Sequence, residues 1–526
     1  MRLARLAAVA AGAALLAALA ARVGTAATPM QTFAYATPTQ VMVGWDPATS
    51  YSNEIIAMSD MYETLTHYNP TTKRAEPALA TRFSSNKAGT EWTFVLRNGV
   101  TFHTGRPLTA QAAKAAIERT MKLHQGAAYV WDAVKSIATP NASTLVFHLK
   151  YAAPLDLIAS SDYAAYIYDT RAAPASKLGA WFAQGHDAGT GPYTVDWWHK
   201  GQEVELRLKA YSKYWAGWKS SHYQAIEYWV VPSVTTMAQL ARAGKVTFTE
   251  QLNPQLWDSF KSSSSVTTTS SPSWQNLLAL LNTKSGPLAD RRVRQAVSYA
   301  VDYNGVLAAM KGSATRQIGV VPPGLWGHFA SLPGQYDTNL SKAKALLQAA
   351  GYGPGGKKLT LVLTDTEGVS YEDLFATLLK SELAPLNVDL QIRTMAWPTQ
   401  WAKAKSSNLS QRQDIFLFVW WPDYADPYSW FVNIFKTEKK PFYNLAYYSN
   451  PKLDAMMQQA ERSAASQRTK AVQLYKTMQT TLLHDAPVVP VFVTVYQRTL
   501  AKGIGGYVDN PAYPNVVYAY DLKPPA

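Results

Sequence analysis

The chain has 526 residues, 47% of them apolar and 12% aromatic, which is too long for one compact domain and apolar enough for two or three cores rather than disorder. Its 50 basic and 36 acidic residues give a net charge of +14, but the basic residues are scattered and the longest runs are dipeptides, so a nucleic-acid-binding surface is not expected. The absence of cysteine excludes disulfides, a thiolate nucleophile, a Cys-ligated metal and a lipid-modified cysteine tether.

In chain order, Arg2 and Arg5 precede an apolar run over 6–21, and the small residues Gly24-Thr25-Ala26-Ala27 follow. This pattern predicts a secretory leader over 1–26, cleaved after Ala26 or Ala27. Sixteen Ala-rich residues fall short of the roughly 20 that span a bilayer, which favours cleavage over anchoring. Without the leader's three arginines the net charge is about +11. A strand is expected over 31–43 and a helix over 55–68, with Asn53 as a plausible cap. Alternation predicts strands at 91–96 and 144–149, and Thr109 caps a helix that starts at Ala110. Gly189-Thr190-Gly191-Pro192-Tyr193 is a turn, and strands follow over 203–208 and 226–231.

The segment 261–273 has the composition of a low-complexity linker, but its Val-Thr-Thr-Thr centre favours a strand, and 277–281 is a second, apolar strand. From Asp290 helices and strands alternate. Helices are expected over 290–311, 341–350 (capped by Ser341 and stopped by Gly351), 370–386, 451–463 and 465–483, and strands over 359–363, 389–394, 415–420 and 488–495. Such alternation predicts a largely parallel sheet with helical cover.

Catalytic signatures are lacking. Gly351-Tyr352-Gly353-Pro354-Gly355-Gly356-Lys357 has the spacing of a P-loop, but Lys358 stands where a hydroxyl is needed, and the loop leads from helix to strand rather than the reverse. There is no H-E-x-x-H, no tight histidine cluster and no G-x-S-x-G, so no catalytic residue, metal or cofactor is expected. Asp423 and Asp426 could in principle serve as an acid–base pair in a secreted hydrolase, although turn capping or ligand anchoring is the commoner role in such a loop.

Several motifs in order resemble one family. They are Tyr62-Glu63-Thr64-Leu65-Thr66, Pro77-Ala78-Leu79-Ala80-Thr81, the stretch from Trp92 to His103, Gly189-Thr190-Gly191-Pro192-Tyr193, Asn282-Thr283 and Arg292-Val293-Arg294-Gln295-Ala296. Ala349-Ala350-Gly351-Tyr352, Trp397, Trp420-Trp421-Pro422-Asp423-Tyr424-Ala425-Asp426-Pro427 and Val489-Pro490-Val491 complete the series. Together they are similar to the bacterial extracellular solute-binding proteins of family 5, the dipeptide- and oligopeptide-binding components of ABC importers.

The resemblance implies an α/β, two-lobed, type II periplasmic-binding-protein-like fold. Lobe one would hold residues 27–278, with an extra subdomain at about 50–185, and the return 490–526; lobe two would hold 279–489. Chain crossings near 278–281 and 488–491 would form the hinge. A monomer capturing a small ligand, chiefly a peptide, and delivering it to a membrane permease is implied, with no cofactor. Asp423 would pair with the ligand's α-ammonium. Trp397, Trp420 and Trp421 would form aromatic walls, though each serves equally well in a core, and Tyr424 and Gly191 complete the candidate set. Some oligopeptide binders carry an arginine shortly before the loop tryptophan to hold the peptide's carboxylate; here Phe416-Leu417-Phe418-Val419 is apolar. Metal chelates, glycans and opines, carried by other members of the family, therefore remain alternative ligands.

Overall fold

The computed structural model describes residues 32–525, so the expected leader over 1–26 lies outside the described residues. The first strands are β1 (Thr32–Thr37), β2 (Thr66–Asn69), β3 (Arg74–Pro77), β4 (Ala80–Ser85), β5 (Glu91–Leu96), β6 (Val134–Asn141) and β7 (Thr144–Leu149). Next come β8 (Tyr193–Trp198), β9 (Val204–Ala210), β10 (Ala225–Val230), β11 (Phe248–Thr249) and β12 (Val266–Leu281). The last are β13 (Ala314–Arg316), β14 (Leu359–Thr366), β15 (Val388–Met395), β16 (Ile415–Trp420) and β17 (Val488–Ala501).

Eleven of these strands make one sheet in the order β15-β14-β16-β12-β17-β11-β1-β10-β9-β8, with β13 also on β17. β12 and β17 pair antiparallel from Val266↔Ala501 to Leu280↔Val488 and connect the two halves of the sheet. The register breaks between Pro272 and Asn276, where Pro272 has no N–H to donate and the Ser273 hydroxyl instead donates to the Thr494 carbonyl at 2.5 Å. A separate sheet, β4-β5-β7-β6, is covered by the helix Ala110–Leu123, whose Ala110, Ala113, Ala116, Ile117 and Thr120 are buried at helical spacing. Thr109 caps this helix by accepting from the Ala112 N–H at 3.1 Å.

Pleating divides the central strands between two cores. Ile415 and Leu417 of β16 join Leu277, Leu281, Leu361 and Val489 in one cluster, whereas Phe416, Phe418 and Trp420 join an aromatic cluster on the other face. Alternation along one strand thus turns three aromatic rings toward the same space.

The main sheet is mixed rather than largely parallel. β14 pairs parallel with β15 and β16, and β1 with β10 and β11, but β12, β16 and β17 are joined antiparallel. The strand favoured by the Val-Thr-Thr-Thr centre of 261–273 is present: residues 266–273 open the 16-residue strand β12, which also takes in the apolar strand expected at 277–281. The helix expected over 290–311 is two, Arg291–Ala300 and Tyr303–Ala309, because Val301 is extended and Asp302 caps the second by accepting from the Gly305 N–H at 2.9 Å. The helix Leu340–Ala349 is capped by Asn339, not Ser341. β1 ends at Thr37 rather than 43. The helix expected over 55–68 stops at Met61, where Tyr62 is extended and the Gly191 N–H takes the Met61 carbonyl at 2.9 Å. Val100-Thr101-Phe102 forms no strand; Thr101 makes a single bridge to Pro107.

Candidate functional site

β16 ends at Trp420, and the loop that follows places Asp423 ahead of the helix Tyr428–Ile434. The loop edges a cleft of about 760 Å³, partly open to solvent, between the two halves of the sheet. Trp397, Trp420, Trp421 and Asp423 all line it. Facing them are Tyr51, Ser52, Tyr163 and Gln275.

Asp423 is 1% exposed. Its Oδ2 accepts from the Tyr51 hydroxyl at 2.6 Å, from the Tyr129 hydroxyl and from the Asn433 amide at 3.3 Å. No lysine, arginine or histidine among the described residues forms an ion pair with it. Burial pushes its pKa up to about 7, and the three donors pull in the opposite direction. The carboxylate is therefore solvated by neutral dipoles and lacks a counter-charge.

The tryptophans combine packing with specific bonds. Trp397 opens the helix Trp397–Ala404 and donates from Nε1 to Ser52 Oγ at 2.8 Å, while its ring stacks on Trp401 and Phe418. Trp421 donates to the Tyr163 hydroxyl at 3.2 Å, and Trp420 to Ser429 Oγ at 3.3 Å. Tyr443 sets its ring edge-on to Trp420 at 5.0 Å and donates to the Tyr51 carbonyl. Several of these bonds join residues 51–163 to residues 397–443 across the cleft.

Two candidate residues lie elsewhere. Tyr424 borders a smaller cavity with Tyr129, Asp426 and Glu461. Gly191 packs on the end of the helix Ile55–Met61: its N–H bonds the Met61 carbonyl, and its own carbonyl faces His103 Nε2 at 2.9 Å. Asp426 also borders the smaller cavity and accepts from the Tyr428 N–H at 2.9 Å, a capping contact. Asp423 and Asp426 thus face different spaces, and the pair does not converge on one bond as acid and base would. Among the described residues no group of three or more His, Asp or Glu is placed to hold a metal.

Sequence reasoning missed Tyr51, Tyr129, Tyr163 and Tyr443, which clothe the aspartate, and the lining acids Glu250 and Glu372. Only the 12% aromatic content pointed toward the tyrosines.

Other buried acids share the shift of Asp423. Burial raises Glu54, Asp162 and Asp426 to about 7 and Glu372 to about 8. Unfolded, such groups ionise near pH 4. Between about pH 4 and pH 7 the unfolded chain has released protons that the folded chain retains, so stability declines as pH rises through that window. Asp187 acts outside it, because burial is outweighed by His103 and the carboxyl sits below its usual value. We expect the ligand-free melting temperature to fall between about pH 5 and pH 8. A flat or rising curve in calorimetry would contradict this assignment.

Over residues 74–442 the chain matches the model of the bacterial extracellular solute-binding proteins, family 5. It is 27% identical over 476 residues to the Probable D,D-dipeptide-binding periplasmic protein DdpA of Escherichia coli (strain K12), with 89% of each chain covered. Among solved structures it superposes on the ABC transporter-associated periplasmic binding protein DppA from Helicobacter pylori in complex with peptide STSA, with a TM-score of 0.81, 21% identity, and 94% and 98% of the two chains covered. NikZ from Campylobacter jejuni in complex with Ni(L-His) gives a TM-score of 0.83 at 19% identity, with 94% of this chain and all of that one covered. These likenesses place the fold among the type II periplasmic binding proteins.

Proposed function

Since the chain belongs to the bacterial extracellular solute-binding proteins of family 5, we propose that it captures a small amine-bearing solute, a peptide foremost, and hands it to an ABC-type membrane permease. The observation that carries the reading is Asp423, a buried carboxylate without a counter-cation at the edge of an aromatic cleft. A ligand ammonium supplies the missing charge, and a charge-assisted bond in a desolvated site distinguishes a free amine from a blocked one. Trp397, Trp420 and Trp421 give the ligand apolar area and cation–π contact without fixing its sequence.

Residues 27–278 and 490–526 act as one lobe, with about 50–185 as its added subdomain, and 279–489 act as the other. The lobes close about β12 and β17. The protein is exported by its leader, works as a monomer outside the cytoplasm, and performs no catalysis. The periplasmic relatives and the 1–26 pattern support that placement. Tyr424 and Gly191 support the loop and the first lobe rather than touching ligand. Protein purified from its host is expected to carry a small-molecule mass that departs on denaturation in native mass spectrometry. Bare polypeptide there, together with tryptophan fluorescence that ignores peptides, would remove the reading.

A further inference from the structure

The residues lining the cleft include three carboxylates, Glu250, Glu372 and Asp423, and no lysine, arginine or histidine. None of the three acids is more than 9% exposed. Glu250 accepts from the Asn515 amide through Oε1, its buried Oε2 makes no close hydrogen bond, and the Thr37 hydroxyl lies beside the carboxylate. Glu372 Oε2 accepts from the Thr366 N–H at 2.7 Å. The nearest compensating charge, Arg498, is fully buried, interacts with Asp509 at 3.4 Å and does not line the cleft. Two acids, Glu250 and Asp509, thus share this one guanidinium.

A free carboxylate on the ligand would have to lie among these acids with no cation to meet it. Burying a charge that meets no counter-charge is strongly unfavourable. An N–H donor in the same place would give Glu250 Oε2 a close hydrogen bond, and leaving a buried acceptor without one is itself costly. Resting on the assignment of the ligand's amine to Asp423, we infer that the ligand carries a second N–H donor, an ammonium or carboxamide, toward Glu250 and has no free carboxylate.

Titration of the whole protein with Phe-Leu and with Phe-Leu amide, followed by tryptophan fluorescence and calorimetry, isolates this point, since the two probes differ only at the carboxyl end. The amide is expected to bind at least about tenfold tighter. Glu250→Gln, which keeps the shape and removes the charge, should narrow that ratio by about threefold or more. The wild-type ratio needs no variant, so a misfolded mutant does not obscure the result. Equal binding, or tighter binding of the free acid, overturns the inference. In that case a loss of affinity for both probes in Asp423→Asn leaves the capture reading standing. Binding of neither probe at about 1 mM overturns it as well, and the native mass spectrum then decides on capture alone.

Discussion

Replacing Asp423 with asparagine is expected to weaken binding of an amine ligand by about 2–5 kcal/mol, roughly 30-fold to several thousand-fold, while the fold survives. Asparagine is nearly isosteric, and its carbonyl oxygen still accepts from the hydroxyls of Tyr51 and Tyr129. The ammonium loses its only counter-charge at that end of the cleft. Stability should move the other way. Burial opposes ionisation of Asp423, raising it to about 7, so above that pH the folded state carries an unfavourable charge that asparagine lacks. The melting temperature at about pH 8 should therefore be no lower than that of the wild type. Calorimetry and fluorescence titration on the same sample check both halves. Affinity kept within about threefold would sink the ammonium role.

The second large effect concerns stability. A Cβ at Gly191 would stand 2.6 Å from the Met61 carbonyl carbon and 2.7 Å from the Asp60 oxygen, both of them backbone atoms that cannot swing aside. Relief requires the turn to move, which breaks the Gly191 N–H bond to Met61 and disturbs the contact with His103. Overpacking of about 1–3 kcal/mol joins the loss of one or two hydrogen bonds at about 1 kcal/mol each. Gly191→Ala should thus cost about 3 kcal/mol or more in denaturant unfolding. Gly99→Ala is the comparison: its φ of +76° carries backbone strain, but nothing lies within 4 Å of the added carbon, so about 1–2 kcal/mol is expected. Similar losses for the two variants would refute the close-packing account. The folded fraction of Gly191→Ala should bind ligand normally, because Gly191 does not border the cleft.

The same two residues mark how far the sequence could be read. Asp423 was singled out because the aromatic–proline loop that holds it resembles a loop of the family. Its surroundings were not: Tyr51 reaches it from 372 residues away and Tyr129 from 294. Contacts over such separations leave no periodic trace in the chain. Gly191 was legible as a turn, but its task was hidden, since it depends on the carbonyl of Met61 in a helix about 130 residues earlier. That contact also helps explain why the expected helix over 55–68 stops early. The Val-Thr-Thr-Thr run let the first half of β12 be read as a strand, but its long pairing with β17 was not visible in the composition. Nothing in the sequence sets Glu250 and Glu372 apart from other acids; the fold buries them.

β12 and β17 lie side by side, hydrogen-bonded to each other, and carry the chain across and back. Two adjacent tethers of this kind resist stretching and sideways sliding, because either would break a run of backbone hydrogen bonds. The soft coordinate left is torsion at the interrupted register of Pro272–Asn276, where the ladder is already incomplete. Gln275, within that interruption, also borders the cleft. The interrupted ladder and the pocket wall thus share a residue, so a solute seated against Gln275 would bear directly on the pairing that joins the two halves of the sheet.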